Sequence, residues 1–235
     1  MPCRARTGFL MHLLVDFRTE DQELMCKELR VRWTITPLKA PQPWITCSGC
    51  RDVKPFQPSG KIRLNANGRK LDAWLIYKCL TCDRTWNRPI FERQSVRDIN
   101  PAILEALKSN DPDWVRSEAF NISAVRRKAQ RIDEFPEVHV EKAVIINAGD
   151  FSTVAIEMVA SLPASLRLDR LLANELGLSR TRVKALADRG LLQASAHRDD
   201  ILRHRVRSGT VVTLSLAGEE RDPRYWSAMV TGTAM

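Results

Sequence analysis

The sequence lacks any run of 18 apolar residues, so no segment is expected to cross a membrane as a helix. The early apolar patch GFLMHLLV, at residues 8–15, is short. Acidic residues follow it instead of a small-residue cleavage site, which argues against a secretory signal. These absences predict a cytoplasmic protein without a membrane partner.

Catalytic signatures are also missing. The chain has no glycine-rich phosphate loop, no GxSxG and no HExxH, and it holds four histidines among 235 residues. His197 and His204 lie in a basic stretch that is typical of a protein surface. Without a recognisable set of catalytic groups, the sequence predicts that the protein is not an enzyme.

The charge is abundant and positive. The chain carries 37 Lys and Arg against 28 Asp and Glu, for a net charge of +9. The excess is uneven, because Arg167 to Arg207 holds ten basic and five acidic residues. A basic protein with no membrane segment often meets nucleic acid or another polyanion, although a solvated basic surface has the same composition.

Six cysteines are present, and four of them form the pattern C-x2-C-x28-C-x2-C at Cys47, Cys50, Cys79 and Cys82. Asn67-Gly68 lies between two strand-like runs, which predicts a hairpin that brings the two pairs together. Four thiolates would form a closed tetrahedral zinc site with no open catalytic position. Iron in the same cage and a redox-active pair remain alternatives. Cys3 and Cys26 are expected to be spare thiols.

This cysteine segment resembles the zinc ribbons found in RNA polymerase subunits, ribosomal proteins and tRNA enzymes. The predicted fold class is α+β, with a small β zinc ribbon, a helical middle segment and a C-terminal αL-type α+β domain. The predicted divisions are an N-terminal extension at 1–28, the zinc ribbon at 29–97, a helical connector at 98–135, strands with the αL-like domain at 136–216, and a polar tail at 217–235.

The stretch RLDRLLANELGLSRTRVKALADRGLL, residues 167–192, predicts two short helices. Leucines at helical spacing form an apolar stripe in the first, and Gly177 is suited to end it. Ser179 is suited to cap the second helix. Arg180 and Lys184 share one flank of that helix, and Arg182 and Arg189 lie on the other. Cations beside amide-rich helix ends predict a phosphate-binding corner, with a solvated arginine face as the alternative.

The same stretch, followed by VRSGTVVTL, resembles the αL RNA-binding motif of a ribosomal small-subunit protein, which also occurs in pseudouridine synthases and tyrosyl-tRNA synthetases. The positions that match that motif are Arg167, Leu168, Asp169, Ser179, Arg180, Arg182, Lys184 and Gly190. The resemblance implies that basic residues of the second helix contact an RNA backbone. The predicted RNA-binding residues are Arg167, Arg170, Ser179, Arg180, Arg182, Lys184, Arg189 and Arg205.

Residues 29 to about 216, with LRVRWTI, RLNANGRKLDAWLIYKC and TWNRPIFER, also resemble an uncharacterised bacterial group, domain-of-unknown-function family 1062. The predicted function is zinc-stabilised, non-enzymatic binding of structured rRNA, ribosome or tRNA with little sequence preference. The alternative is a protein-interaction or transcription-associated adaptor that docks a partner through the zinc ribbon.

Overall fold

A computed structural model describes residues 28–147, 149–195, 201–219 and 221–233. The predictions for the N-terminal extension, for Cys3 and Cys26 and for His197 lie outside these residues, apart from residue 28. The strands are β1 (Glu28–Pro37), β2 (Gln42–Cys47), β3 (Asp52–Asn67), β4 (Lys70–Cys79), β5 (Thr85–Ser95), β6 (Arg131–Asp133), β7 (Val138–Ile146), β8 (Thr153–Val159), β9 (Leu192–Ala194) and β10 (Val211–Ser215). The α-helices are α1 (Pro101–Ser109), α2 (Pro112–Ala119), α3 (Ile122–Arg126), α4 (Leu168–Glu175), α5 (Arg180–Asp188) and α6 (Pro223–Thr231).

The strands form two five-stranded sheets, so the protein is a mixed α+β protein. One sheet, here called the cysteine sheet, has the order β5-β4-β3-β2-β6, and its neighbouring strands pair antiparallel. The other, here called the mixed sheet, has the order β7-β1-β8-β10-β9 and includes the parallel pair β1–β8. In the described part of the chain, no helix is both long and apolar enough to cross a bilayer.

Apolar and polar residues alternate along strand β1, and the apolar residues are buried on one face of the sheet. Its residues Leu29, Val31, Trp33 and Ile35 are buried in the core that α4, α5 and α6 share with the mixed sheet. The predicted division at 29–97 grouped this strand with the cysteines, whereas the structure pairs it with β7 and β8. Periodicity identifies the buried face of a strand but not its partners, which here lie more than a hundred residues away.

The cysteine sheet packs against α2 and α3. Phe56, Leu75 and Tyr77 from the sheet meet Val115 and Val125 from the helices. The sequence places an N-cap residue directly before proline at Asn100-Pro101 and at Asp111-Pro112, a pattern that predicts a helix start. Both helices form there: the Asn100 side chain accepts a hydrogen bond from the Ala102 amide at 2.8 Å, and Asp111 accepts one from the Trp114 amide at 2.7 Å. The predicted helical connector also contains a short strand, β6, which extends the sheet beside β2.

The predicted hairpin forms between β3 and β4, but its turn is shifted by one residue. Asn67 pairs with Lys70, so Gly68 and Arg69 are the two loop residues. Gly68 has a φ of 58°, a left-handed conformation that glycine adopts without steric cost. Asn67 therefore remains in the strand as its last residue.

The tail predicted as polar at 217–235 contains an ordered helix. Trp226 of α6 is fully buried in the core of the mixed sheet. The Tyr225 hydroxyl donates to the carbonyl of Leu176 at 2.7 Å, and the Trp33 indole donates to the carbonyl of Val230 at 2.9 Å. The helix α6 is therefore held against β1 and against the C-terminal end of α4.

Three hydrogen bonds connect the two sheets and the segments beside them. The Arg116 guanidinium donates to the carbonyl of Pro37 at 2.6 Å, and the Ser165 hydroxyl donates to that of Phe135 at 2.7 Å. The backbone amide of Leu38 donates to the carbonyl of Glu137 at 3.0 Å, beside the last pair of the β1–β7 ladder. These bonds satisfy backbone carbonyls where the chain passes from one sheet to the other.

Candidate metal centre and nucleic-acid interface

The two cysteine pairs lie on two turns of similar geometry. Cys47 ends β2 and Cys79 ends β4, and each begins a tight turn that contains the second cysteine of its pair. The amide of Arg51 donates to the Cys47 carbonyl at 2.8 Å, and that of Asp83 donates to the Cys79 carbonyl at 3.0 Å. Arg51 and Asp83 also share the left-handed conformation, with φ of 55° and 57°.

The four sulfur atoms form one cluster. All lie within 4.8 Å of one another, with 3.4 Å between the sulfurs of Cys47 and Cys82 and 3.9 Å between those of Cys50 and Cys79. Metal–sulfur bonds of about 2.3 Å in a tetrahedron place sulfurs about 3.8 Å apart. The arrangement is therefore compatible with a metal site.

Burial differs among the four cysteines. Cys47 and Cys79 are buried in the core of the cysteine sheet, whereas Cys82 is exposed. Gly49 lies inside the first turn, where a Cβ atom would approach the Cys82 sulfur to 3.1 Å. A larger residue at this position would require the Cys82 sulfur to shift by a few tenths of an ångström.

The protonation of the cluster is uneven. A backbone hydrogen bond at Cys50 lowers the pKa of the Cys47 thiol to about 6. Hydrogen bonding with Cys82 and burial raise the pKa of the Cys50 thiol to about 12. Thiolates packed this closely repel each other, and a bound cation would remove that repulsion. The electrostatics therefore suit a cation at the centre.

The tryptophans near the cysteines pack against the protein. Trp86 makes a tilted contact with Tyr77 at 5.2 Å between ring centroids and an edge contact with Phe56 at 6.4 Å. The Trp44 indole donates to Asp133 at 2.7 Å. Both rings are partly buried, and Trp86 packs against the apolar core of the cysteine sheet.

The two helices predicted at 167–192 form as α4 and α5. Ser179 caps α5 by accepting a hydrogen bond from the Arg182 amide at 3.1 Å. Arg167, at the start of α4, and Arg180, at the start of α5, both bind the carboxylate of Asp169, with shortest distances of 2.8 and 2.9 Å. Asp169 therefore joins the first turns of the two helices.

Burial of Asp169 opposes its ionisation, but hydrogen bonds from Arg180 and Arg167 outweigh that effect and lower the pKa of its carboxyl group. The side chains of Arg167 and Arg180 are 42% and 59% exposed, so both remain accessible to solvent. Arg167 and Arg180 share the single negative charge of Asp169, so the three groups together keep a net positive charge at the starts of α4 and α5.

An open cavity of about 620 Å³ lies at the same corner. Four basic residues line it, namely Arg167, Arg180, Lys184 and Arg203, together with the carboxylates of Asp169 and Asp188. Arg203 belongs to a single turn of 3-10 helix at 201–203 and was not among the predicted site residues. The alternating RHRVR at 203–207 was the sequence signal for it.

The other predicted RNA-binding side chains are placed elsewhere. Arg182 forms an ion pair with the buried carboxylate of Glu219, and Arg189 donates to the carbonyl of Gly218 at 3.1 Å. Arg205 binds Glu134 at 2.5 Å. Arg170 lines a separate cavity beside β7. One flank of α5 thus faces the 620 Å³ cavity, while the flank that bears Arg182 and Arg189 is bonded to the segment before α6.

The family described as "Protein of unknown function (DUF1062)" matches residues 64–198, more than half of the chain. The chain belongs to this family. No curated protein and no solved structure matches it.

The DUF1062 match confirms the predicted family over a shorter range than 29–216. The matched segment includes Cys79, Cys82 and the helices α4 and α5, whereas Cys47 and Cys50 precede it. Arg203 follows it. In this DUF1062 protein, each of the two candidate sites therefore combines residues from inside and outside the matched segment.

Proposed function

We propose that this DUF1062 protein is a zinc-stabilised, non-enzymatic RNA-binding protein of the cytoplasm that contacts phosphates of structured RNA through the cavity beside α4 and α5. The observation that carries the proposal is the convergence of Arg167, Arg180 and Lys184 with Arg203 on one open cavity. Guanidinium and ammonium groups are the usual donors to phosphate oxygens.

The metal part of the proposal is supported by the donor set. Four cysteine sulfurs at tetrahedral spacing fit zinc, and a closed set of ligands leaves no position for a reacting water. The ion would hold the ends of β2 and β4 together. Its role would be to stabilise the cysteine sheet rather than to catalyse a reaction.

Elemental analysis of protein purified without added metal tests this part. We expect one zinc per chain, lost on treatment with a chelator together with part of the thermal stability. Iron in the cage would give thiolate-to-iron charge-transfer absorption instead. Protein that holds no metal and keeps four reactive thiols without loss of stability would contradict the zinc site.

The RNA part of the proposal assigns fewer residues to RNA than the sequence predicted. Arg182, Arg189 and Arg205 are engaged within the protein, so they are not assigned to RNA. Arg167 and Arg180 share Asp169 but remain partly exposed, and Lys184 forms no ion pair within the described residues. The αL resemblance supports the same surface, because the first helical turns meet there.

Binding of a structured RNA at several salt concentrations tests the RNA part. About four phosphate contacts give a log–log slope of affinity against salt of roughly −3. The double variant R180Q/K184Q should reduce the magnitude of that slope by about 1.4 to 1.8. The matched control R69Q/K70Q removes the same charge from the turn of the cysteine sheet and should bind like the wild type. A slope near zero for the wild type would contradict RNA binding.

A protein-interaction adaptor is the second candidate. An apolar groove of about 270 Å³ lies between the cysteine sheet and α2, lined by Leu38, Pro58, Val115 and Phe120 among others. Leu38 is 62% exposed at its edge. Co-purification with and without nuclease separates the two candidates: a partner that remains bound after nuclease, and is lost on L38D substitution, would favour the adaptor.

A further inference from the structure

A second basic cavity lies next to the first. It has a volume of about 650 Å³ and lies between the loop after β8, residues 160–164, and the segment 203–208. Arg203, Arg205 and Arg207 line it together with His204. No carboxylate appears among its described lining residues, in contrast to the first cavity, which holds two. The described lining of the second cavity therefore contains basic side chains and no acidic ones, although Arg205 is paired with Glu134 outside that lining.

The two cavities are neighbours that share a lining residue. Arg203 lines both. The segment that follows it is fixed against the start of α4, because the Leu168 amide donates to the His204 carbonyl at 2.9 Å and the Val206 amide donates to the Leu166 carbonyl at 3.0 Å. The positions of the two basic walls relative to each other are thus set by backbone hydrogen bonds.

Among the described residues that line the two cavities there is no Phe, Tyr or Trp, and the imidazole of His204 is the one aromatic ring. Proteins that bind unpaired bases usually offer aromatic platforms on which the bases stack. A wall with several guanidinium groups and a single small aromatic ring favours contacts with phosphates of a paired, regular backbone. This chemistry fits a duplex stem better than a single strand.

We propose that the second cavity is a second phosphate-binding subsite, joined to the first through Arg203, so that a duplex RNA stem lays two stretches of its backbone on this face of the protein. The proposal rests on the function proposed above and specifies the RNA as a stem long enough to reach both cavities. It assigns a direct contact to Arg207, which lies beyond the family match and outside the αL resemblance positions.

Among the arginines of this wall, Arg207 is the most suitable for a test. It is exposed, and its side chain forms no ion pair within the described part of the chain. Arg205 is held by two bonds to Glu134, at 2.5 and 3.1 Å, so it shapes the wall and adds little free charge. Replacement of Arg207 therefore changes the cavity without breaking a described side-chain interaction.

The experiment compares two RNA hairpins by fluorescence anisotropy with the full-length protein. One has a stem shorter than one helical turn, and the other has a stem of two turns. For the long stem, R207Q should weaken binding several-fold and reduce the magnitude of the salt slope by about 0.9, while R207K should restore both. For the short stem, R207Q should bind like the wild type, whereas K184Q should weaken binding of both hairpins.

R69Q, in the turn of the cysteine sheet, is the control and should leave both affinities unchanged. If R207Q binds the long stem with the affinity of the wild type while K184Q binds it more weakly, the second subsite is overturned and the proposed function stands. Equal losses for both hairpins in R207Q would also overturn it, because a separate subsite requires a dependence on stem length. Absence of salt-dependent binding by the wild type would overturn the proposed function and this inference together.

Discussion

Replacement of Asp169 by asparagine should change stability and RNA affinity in opposite directions. The carboxylate accepts four hydrogen bonds from Arg167 and Arg180, at 2.8 to 3.2 Å. Asparagine has nearly the same shape and keeps one acceptor oxygen, but it removes the charge. The variant D169N therefore tests whether this anion holds two helices together while it competes with phosphate for the same arginines.

The stability cost follows from burial and exposure. A hydrogen bond to a charged group contributes about 1.5–3 kcal/mol when it is buried, and an exposed ion pair contributes about 0–1 kcal/mol. Asp169 is 12% exposed, but its partners are 42% and 59% exposed. We therefore expect D169N to lower the free energy of unfolding by about 1–2 kcal/mol, or the midpoint of thermal unfolding by about 2–8 °C.

The effect should depend on pH. Because the pKa of Asp169 is lowered in the folded state, its contribution is present above the pKa of the unfolded chain, near 4, and is lost as the pH falls through the lower folded value. The stability difference between wild type and D169N should thus be constant from about pH 5 to 7 and shrink below about pH 4.

Affinity for RNA should rise in the same variant. A unit charge about 7 Å from a bound phosphate contributes about 0.6 kcal/mol in water-like surroundings, which is about a threefold change in affinity. D188N is the matched control: Asp188 lines the same cavity, is exposed, and has no ion pair within the described residues. It should show the gain in affinity without the loss of stability. Unchanged stability and weaker binding in D169N would refute this account of the corner.

Three further predictions concern the cysteine cluster and α6. C82S should abolish stoichiometric zinc and lower the unfolding temperature with little loss of packing, because Cys82 is the exposed member of the cluster; elemental analysis and calorimetry check this. W226A should cost about 3–5 kcal/mol in chemical denaturation, since the ring is fully buried, and a cost below about 1 kcal/mol would contradict the docking of α6. Y225F should cost about 1 kcal/mol, because it leaves the Leu176 carbonyl without its hydroxyl donor, whereas Y225L should cost more by also removing the ring.

Local signals in the sequence predicted the local structure well. The Asx-Pro starts of α1 and α2 and the Ser179 cap of α5 form as expected, because each depends on a few neighbouring residues. The same reasoning would have found α6: Asp222 precedes Pro223, and Gly232 ends the helix with a φ of 74°. The polar composition of the tail concealed these signals.

Long-range arrangements could not be predicted in the same way. Strand β1 has the expected alternation, yet its partners depend on burial across the whole mixed sheet. The arginines are a second example: spacing placed Arg180 and Arg182 on opposite flanks of α5, but only the fold shows that Asp169 meets one and Glu219 the other. Helical spacing determines which side a charge occupies, and tertiary contacts determine its partner.

The pairing of Pro37 with Val138 at the end of β1 and β7 has a consequence for how the chain is assembled. The segment 38–137 begins and ends at neighbouring points of the mixed sheet. The unit that contains the cysteine sheet is therefore an insertion between β1 and β7 of the unit that contains the mixed sheet. During synthesis the inserted unit emerges complete before β8 and β10 exist, while β1 must wait for both of its partners. A short linker from Pro37 to Val138 would span the gap, which makes each unit a natural candidate for separate expression.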